Sequence, residues 1–178
     1  MKKLRRMLLP MILMIWPYLF FLLMVFSDTN EDVMYAILWV YIGLTGVVYL
    51  ANTIYAFVYK SERTCYELAQ YDLAAKLIHI PFYVLVFGFG VLMFFAMVVP
   101  ALVLVSPLVI TILFVVDVCL MLTSSMYGAS ALIKAAAQRK VSVKYAVLHI
   151  VLHCFFLTDV ISAFCVFFKM RGVRKREL

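Results

Sequence analysis

Five apolar runs, at about residues 4–26, 33–59, 80–99, 108–127 and 145–168, make up most of this chain, and its 16 Lys and Arg residues are confined to four stretches at their ends. Those stretches are Lys2 to Arg6, Lys60 to Lys76, Lys134 to Lys144 and Lys169 to Arg176. Apolar runs of this length mark helices that cross a bilayer. In lipid the backbone must bond internally, so continuous runs read as helices. Lys and Arg collect in cytoplasmic loops. Five crossings would place the two termini on opposite faces, yet both termini are basic. One run is therefore expected not to cross as a simple span.

Composition agrees with a membrane assignment. Of 178 residues, 67% are hydrophobic and 14% charged, with a mean hydropathy of +1.09. A soluble domain carries roughly 45–50% apolar and about 25% charged residues. The longest polar stretch, Lys60 to Lys76, leaves no room for a separate soluble domain, so residues 1–178 read as a single membrane domain. The net charge of +7 belongs to basic residues flanking the spans. There they fix topology and meet anionic lipid at the cytoplasmic face, and no nucleic-acid partner is expected. Cys65, Cys119, Cys154 and Cys165 show no metal-binding or redox spacing.

The first run, about Leu4 to Phe26, follows a basic start. It exceeds a cleavable signal's apolar region about twofold, so an uncleaved anchor is expected, bent by Pro10 and Pro17. The loop Ser27 to Asp32 has three acids and no Lys or Arg, which suits the external side. After the second run, Thr64 and Glu67 form a capping-box pattern. Arg63/Glu67 and Asp72/Lys76 are oppositely charged pairs at i,i+4 spacing. A cytoplasmic amphipathic helix over about 65–79 is expected to lie on the membrane surface up to Pro81, where the third run begins. Pro100 to Pro107 makes a second external turn.

The fifth run resolves the parity conflict. Its 24 residues suffice for one span or for two half-helices of about 12 residues each. Thr158 or Asp159 near its centre is the kind of residue that N-caps a second helix. A broken or re-entrant segment keeps both flanking basic stretches cytoplasmic, whereas a fifth span does not. The expected fold is thus an all-α polytopic membrane bundle: four transmembrane helices plus a C-terminal broken or re-entrant (or fifth spanning) segment.

Asp117 is the most costly residue in this reading. A charged residue at mid-membrane costs about 3 kcal/mol on insertion scales, and such residues face a bundle interior or a pathway. On the second run, Tyr41, Thr45, Tyr49, Asn52, Ala56 and Tyr59 share one helical face, either as packing glue or as a hydrated lining. Gly43 and Gly46 allow close packing nearby. A contact between the second and fourth runs would bring Asn52 and Asp117 into one polar core. Asp159 is the second intramembrane acid, a helix cap or an ion-binding helix end. His149 and His153 stand one turn apart, compatible with interfacial packing, a proton relay or a metal pair. Three histidines are too few for a membrane di-iron site. No nucleophile-and-base pair, phosphate loop or cofactor motif is present, so neither an enzyme nor a cofactor is expected.

The strings Lys76 to Tyr83 (KLIHIPFY) and Asp159 to Ala163 (DVISA) resemble small, uncharacterised multi-pass membrane proteins of Gram-positive bacteria. The likeness touches about 13 residues. It implies a plasma membrane and a comparable layout, with no activity attached. Two functional expectations follow from the residues. The first is transport or permeation of an ion or small solute, with Asp117, Asn52, Tyr49 and Asp159 as binding or coupling groups. The second is a non-catalytic accessory, sensor or immunity-type subunit that docks a protein partner through its basic cytoplasmic face.

Overall fold

A computed structural model describes residues 2–26, 31–58 and 63–177. Within them the chain forms α1 (Lys2–Phe26), α2 (Glu31–Val58), α3 (Cys65–Ala96), a 3-10 turn (Pro100–Leu102), α4 (Val105–Ala137), α5 (Val143–Leu152) and α6 (Phe156–Glu177), with no strand among the described residues. Residues 27–30 of the first external loop, Tyr59 at the end of the second run and Lys60 at the start of the basic stretch lie outside the described part.

Three helices are long and apolar enough to cross a membrane: Asp32–Val58, Cys65–Ala96 and Val105–Ala137. Four or five were expected. The described apolar part of α1 is shorter, Met7–Phe20, and the fifth run is divided. α6 also ends in Lys169, Arg171, Arg174, Lys175 and Arg176, which removes its apolar character. The three long helices turn large apolar side chains outward, among them Trp39, Phe87, Phe95 and Phe114. Such a surface suits lipid and is rare on soluble monomers.

α3 is one continuous helix where a surface helix followed by a separate span was expected. Its start is as read: Thr64 Oγ1 accepts from the Glu67 amide and Glu67 Oε2 accepts from the Thr64 amide, both at 3.1 Å. It then passes through Pro81, whose ring removes one intrahelical bond. Next to that break the Tyr18 hydroxyl donates to the Ile78 carbonyl. The stronger reason for continuity is phase. Leu68, Asp72, Lys76, His79, Phe82 and Val86 recur at helical spacing and are all buried. The 32 residues of α3 span about 48 Å, longer than the hydrocarbon core of about 30 Å.

α3 and α4 form the central antiparallel pair, with α1 and α2 on one side and the α5–α6 hairpin on the other. The ends of the pair are marked by Cys65 Sγ, 3.6 Å from Gln138 Oε1, and by Lys134, which donates to the Arg63 carbonyl. α4 ends in a Schellman motif. The Lys140 amide bonds the Ala135 carbonyl and the Arg139 amide the Ala136 carbonyl, both at 2.9 Å, with Arg139 left-handed at φ 55°. Ser142 caps α5 by accepting from the Tyr145 amide at 3.2 Å.

α5 rises for ten residues, about 15 Å, and the chain turns at His153 to Phe155. α6 then runs back. Tyr145 faces Lys169, His149 faces Ser162 and His153 faces Asp159, which fixes an antiparallel hairpin. Both its ends lie beside the start of α3, where Arg174 covers Tyr66. The second half-helix starts at Phe156, so Asp159 sits within its first turn and is not its N-cap. Thr158 supports the turn by donating to the carbonyls of Leu152 (2.8 Å) and Phe155 (3.2 Å).

Candidate functional site

The hairpin turn meets the middle of the central pair, and four ionisable side chains converge there. Lys76 lies 11 residues into α3 and Ser125 lies 12 residues before the end of α4, each about 17 Å from the basic end of the bundle. The Lys76 ammonium is 2.9 Å from Asp72 Oδ1 and 2.7 Å from His153 Nδ1, and it bonds Asp159 Oδ1 directly. His153 Nδ1 is 2.8 Å from the same Asp159 oxygen, and Ser125 Oγ is 3.0 Å from it. The far ring nitrogen, His153 Nε2, faces Asp72 Oδ2 at 3.8 Å. All five side chains are buried.

Local structure explains the convergence. Asp72 and Lys76 are one helical turn apart on the buried face of α3. His153 closes α5 as its C-cap, Asp159 opens α6, and Ser125 projects from α4. Gly128, one turn after Ser125, lets the carboxylate and the imidazole approach α4. A Cβ added at Gly128 would stand 2.7 Å from Asp72 Oδ2 and 2.8 Å from His153 Nε2, closer than real side chains come. Any side chain there would push the carboxylate and the imidazole aside.

The charges do not cancel. Counted at their ordinary charges, one lysine and two aspartates sum to −1 while the imidazole is neutral. A buried charge without compensation is costly, and a cluster can meet that cost by taking up a proton. A neutral ring can accept from Lys76 at Nδ1 and leave one N–H for Asp72. A protonated ring donates from both nitrogens, one toward each carboxylate. At 3.8 Å, Asp72 Oδ2 and His153 Nε2 do not bond each other, and neither has a hydrogen-bond partner among the described residues.

The sequence candidates separate. Asp159 and His153 belong to this cluster. His149 does not share a ligand with His153: its Nδ1 is 2.7 Å from Ser162 Oγ, tying α5 to α6. Among the described residues no three His, Cys, Asp or Glu side chains converge as a metal set. Asp117 stands eight residues before Ser125 on α4, roughly 12 Å along the helix from the cluster. It is half-buried, and its Oδ1 has no hydrogen-bond partner among the described residues.

Asn52 is ten residues away from Asp117 in α4 register. Its Oδ1 accepts from the Tyr127 hydroxyl at 2.7 Å and its Nδ2 donates to the Val48 carbonyl at 2.9 Å. The expected shared core of Asn52 and Asp117 is thus absent. Tyr49 is half-buried against the apolar core. The rest of that α2 face also packs on helices: Trp16 Nε1 donates to Thr45 Oγ1 (2.8 Å), Tyr41 donates to the Trp16 carbonyl (3.0 Å), and Ser130 donates to the Ala56 carbonyl (2.6 Å).

Sequence reading missed Asp72, Lys76 and Gly128 as site residues. The available signal was phase, since Asp72, Lys76 and His79 continue the stripe of Leu68, Phe82 and Val86.

Comparison with known proteins adds a family without an activity. A family model described as a family of unknown function (DUF6652) matches residues 2–172. No curated protein and no solved structure matches the chain. The chain belongs to the DUF6652 family.

Proposed function

We propose that this DUF6652 protein is an integral membrane protein that moves protons, or a small solute or ion coupled to them, and that its coupling site is the Lys76, Asp72, His153 and Asp159 cluster. The observation carrying this reading is a convergence: two buried aspartates meet one lysine beside a histidine. Ionisable groups deep in a membrane bundle mark ion and proton pathways. Asp117, half-buried and apart from these groups, is the weaker coupling candidate.

Lys76 acts as a tethered counter-ion in the position a free cation would otherwise take. When His153 is neutral, Lys76 holds Asp159 and the hairpin turn against α3. When a proton arrives, the imidazolium bridges both carboxylates and relieves Lys76 of part of that role. The proton therefore changes which groups clamp the α5–α6 turn to the central pair. A site for ions at a broken helix is how several transporter folds couple movement to binding.

The same geometry supports a topology. The ends of α2, α4 and α6 and the start of α3 bring Arg63, Lys134, Arg139, Lys140, Lys169 and Arg174 to one end of the bundle. By the positive-inside rule that end is cytoplasmic. With α1 as a fourth crossing and α5–α6 as a re-entrant hairpin of about half the bilayer depth, both termini fall on the cytoplasmic side of a plasma membrane.

Purified protein in vesicles holding a pH-sensitive dye tests the proposal. Wild type dissipates an imposed proton gradient, Asp159→Asn abolishes this while circular dichroism stays unchanged, and Asp117→Asn leaves it intact. Wild-type vesicles as tight as protein-free ones, or loss of flux in Asp117→Asn alone, would overturn it.

A further inference from the structure

At the basic end, away from the cluster, a cavity of about 510 Å³ opens between the end of α4, the start of α5 and α6. Its wall is formed mainly by Arg139, Lys140, Ser142, Val143, Tyr145 and Lys169. Three of these are cationic, two carry hydroxyls, and no Asp or Glu lines it among the described residues. Its volume falls within the roughly 300–1,000 Å³ of ligand pockets.

We propose that this cavity binds a phosphate group, presented by an anionic phospholipid or by a small soluble phosphate. Like charges gathered around an empty space repel one another, and a multivalent oxyanion turns that repulsion into attraction. Arg139 offers the planar fork that pairs with two phosphate oxygens. The Lys169 ammonium is held 5.9 Å above the Tyr145 ring, which keeps it at the cavity wall. Ser142 Oγ accepts from the Tyr145 amide, so its hydroxyl proton is left to donate to a ligand. A carboxylate would use fewer of these donors than a tetrahedral anion.

Surroundings fit a lipid as the bearer. Val143, Val147 and Leu148, exposed on α5 next to the cavity, present an apolar flank where acyl chains would lie. Basic pockets between helices at the cytoplasmic side are where phospholipid headgroups bind. Arg139 adds a second indication. It occupies the left-handed position of the Schellman motif, where glycine is the usual residue, so the guanidinium sits there against backbone preference.

This assignment does not depend on the proton reading, and its test leaves the cluster untouched. Full-length chain, purified in a zwitterionic detergent, is titrated with phosphatidylglycerol and separately with inorganic phosphate. Binding is followed by native mass spectrometry and by calorimetry. The variants are Arg139→Gly with Lys169→Gln, and, as a charge control outside the cavity, Lys144→Gln. Glycine suits φ 55°, so the double variant is expected to fold as wild type does.

Loss of two charged contacts should weaken binding by at least about tenfold, with Lys144→Gln unchanged. If only phosphatidylglycerol shows this difference, the bearer is a lipid. If inorganic phosphate alone shows it, the bearer is soluble. Equal binding by wild type and the double variant for both probes would overturn the site. So would an equal loss in Lys144→Gln.

Discussion

α4 presents two polar faces, and they differ in charge and in completeness. Toward α2 it places Tyr127 and Ser130 against Asn52 and the Ala56 carbonyl, and the donors of this seam meet neutral acceptors at 2.6–2.9 Å. Toward α3 and the hairpin it places Ser125 and Gly128 against two carboxylates, an ammonium and an imidazole. The neutral seam is satisfied as built and behaves as helix glue. At ordinary charges the cluster sums to −1, and Asp72 Oδ2 and His153 Nε2 have no hydrogen bond among the described residues. A complete network specifies packing; an incomplete one can respond to a proton.

The contrast can be broken most severely at Lys76. Lys76→Met keeps the length and removes the only ammonium of the cluster, leaving two carboxylates without a cation. Removing one partner of a buried pair costs about 3–5 kcal/mol. The folded variant then needs extra protons that the unfolded chain does not hold, so its stability rises as pH falls. Unfolding in detergent at neutral and acidic pH measures both effects. A variant equally unstable at both would place the loss elsewhere.

Gly128→Ala comes next. The added methyl group meets Asp72 and His153 at under 3 Å. Overpacking of this kind costs about 1–3 kcal/mol, partly offset by about 1 kcal/mol of helix propensity. Proton flux should fall with it, because the imidazole must move away from Asp72. The matching change in the neutral seam, Asn52→Leu, removes two side-chain hydrogen bonds at about 1 kcal/mol each and should leave flux unchanged. Flux measured beside thermal stability separates the two faces. Equal losses in both variants would erase the distinction between them.

Two smaller effects sharpen the picture away from the faces. Arg139→Gly relieves a left-handed residue and should stabilise the fold by about 1 kcal/mol. Asp117→Asn should change stability by less than about 0.5 kcal/mol, as expected for a half-exposed group away from the cluster.

Much of the architecture is legible in the sequence. The apolar runs give α2, α3 and α4, and the capping pattern gives the start of α3 at Cys65. The basic stretches at both termini raise the parity conflict, and the structure divides residues 145–168 into two helices. The site is only half legible. Asp159 and His153 stand out because they interrupt an apolar run. Asp72 and Lys76 read as an exposed ion pair, since i,i+4 charges on a polar stretch are usually solvated. Their burial depends on α3 continuing through Pro81 in unbroken phase and on a hairpin arriving 83 residues later to cover Lys76. Asp117 drew attention because it interrupts an apolar run, and its neighbours Phe114, Val115 and Val116 face outward from the bundle. Spacing along one helix cannot report which neighbour lies across it.

Proton uptake by the full chain in lipid nanodiscs tests the charge imbalance most directly. On a step from alkaline to acidic pH, wild type should bind one proton more per chain than Asp159→Asn, in which Lys76 and Asp72 already balance. His79 and His149 are common to both and cancel in the difference. Equal uptake by the two proteins would contradict the account.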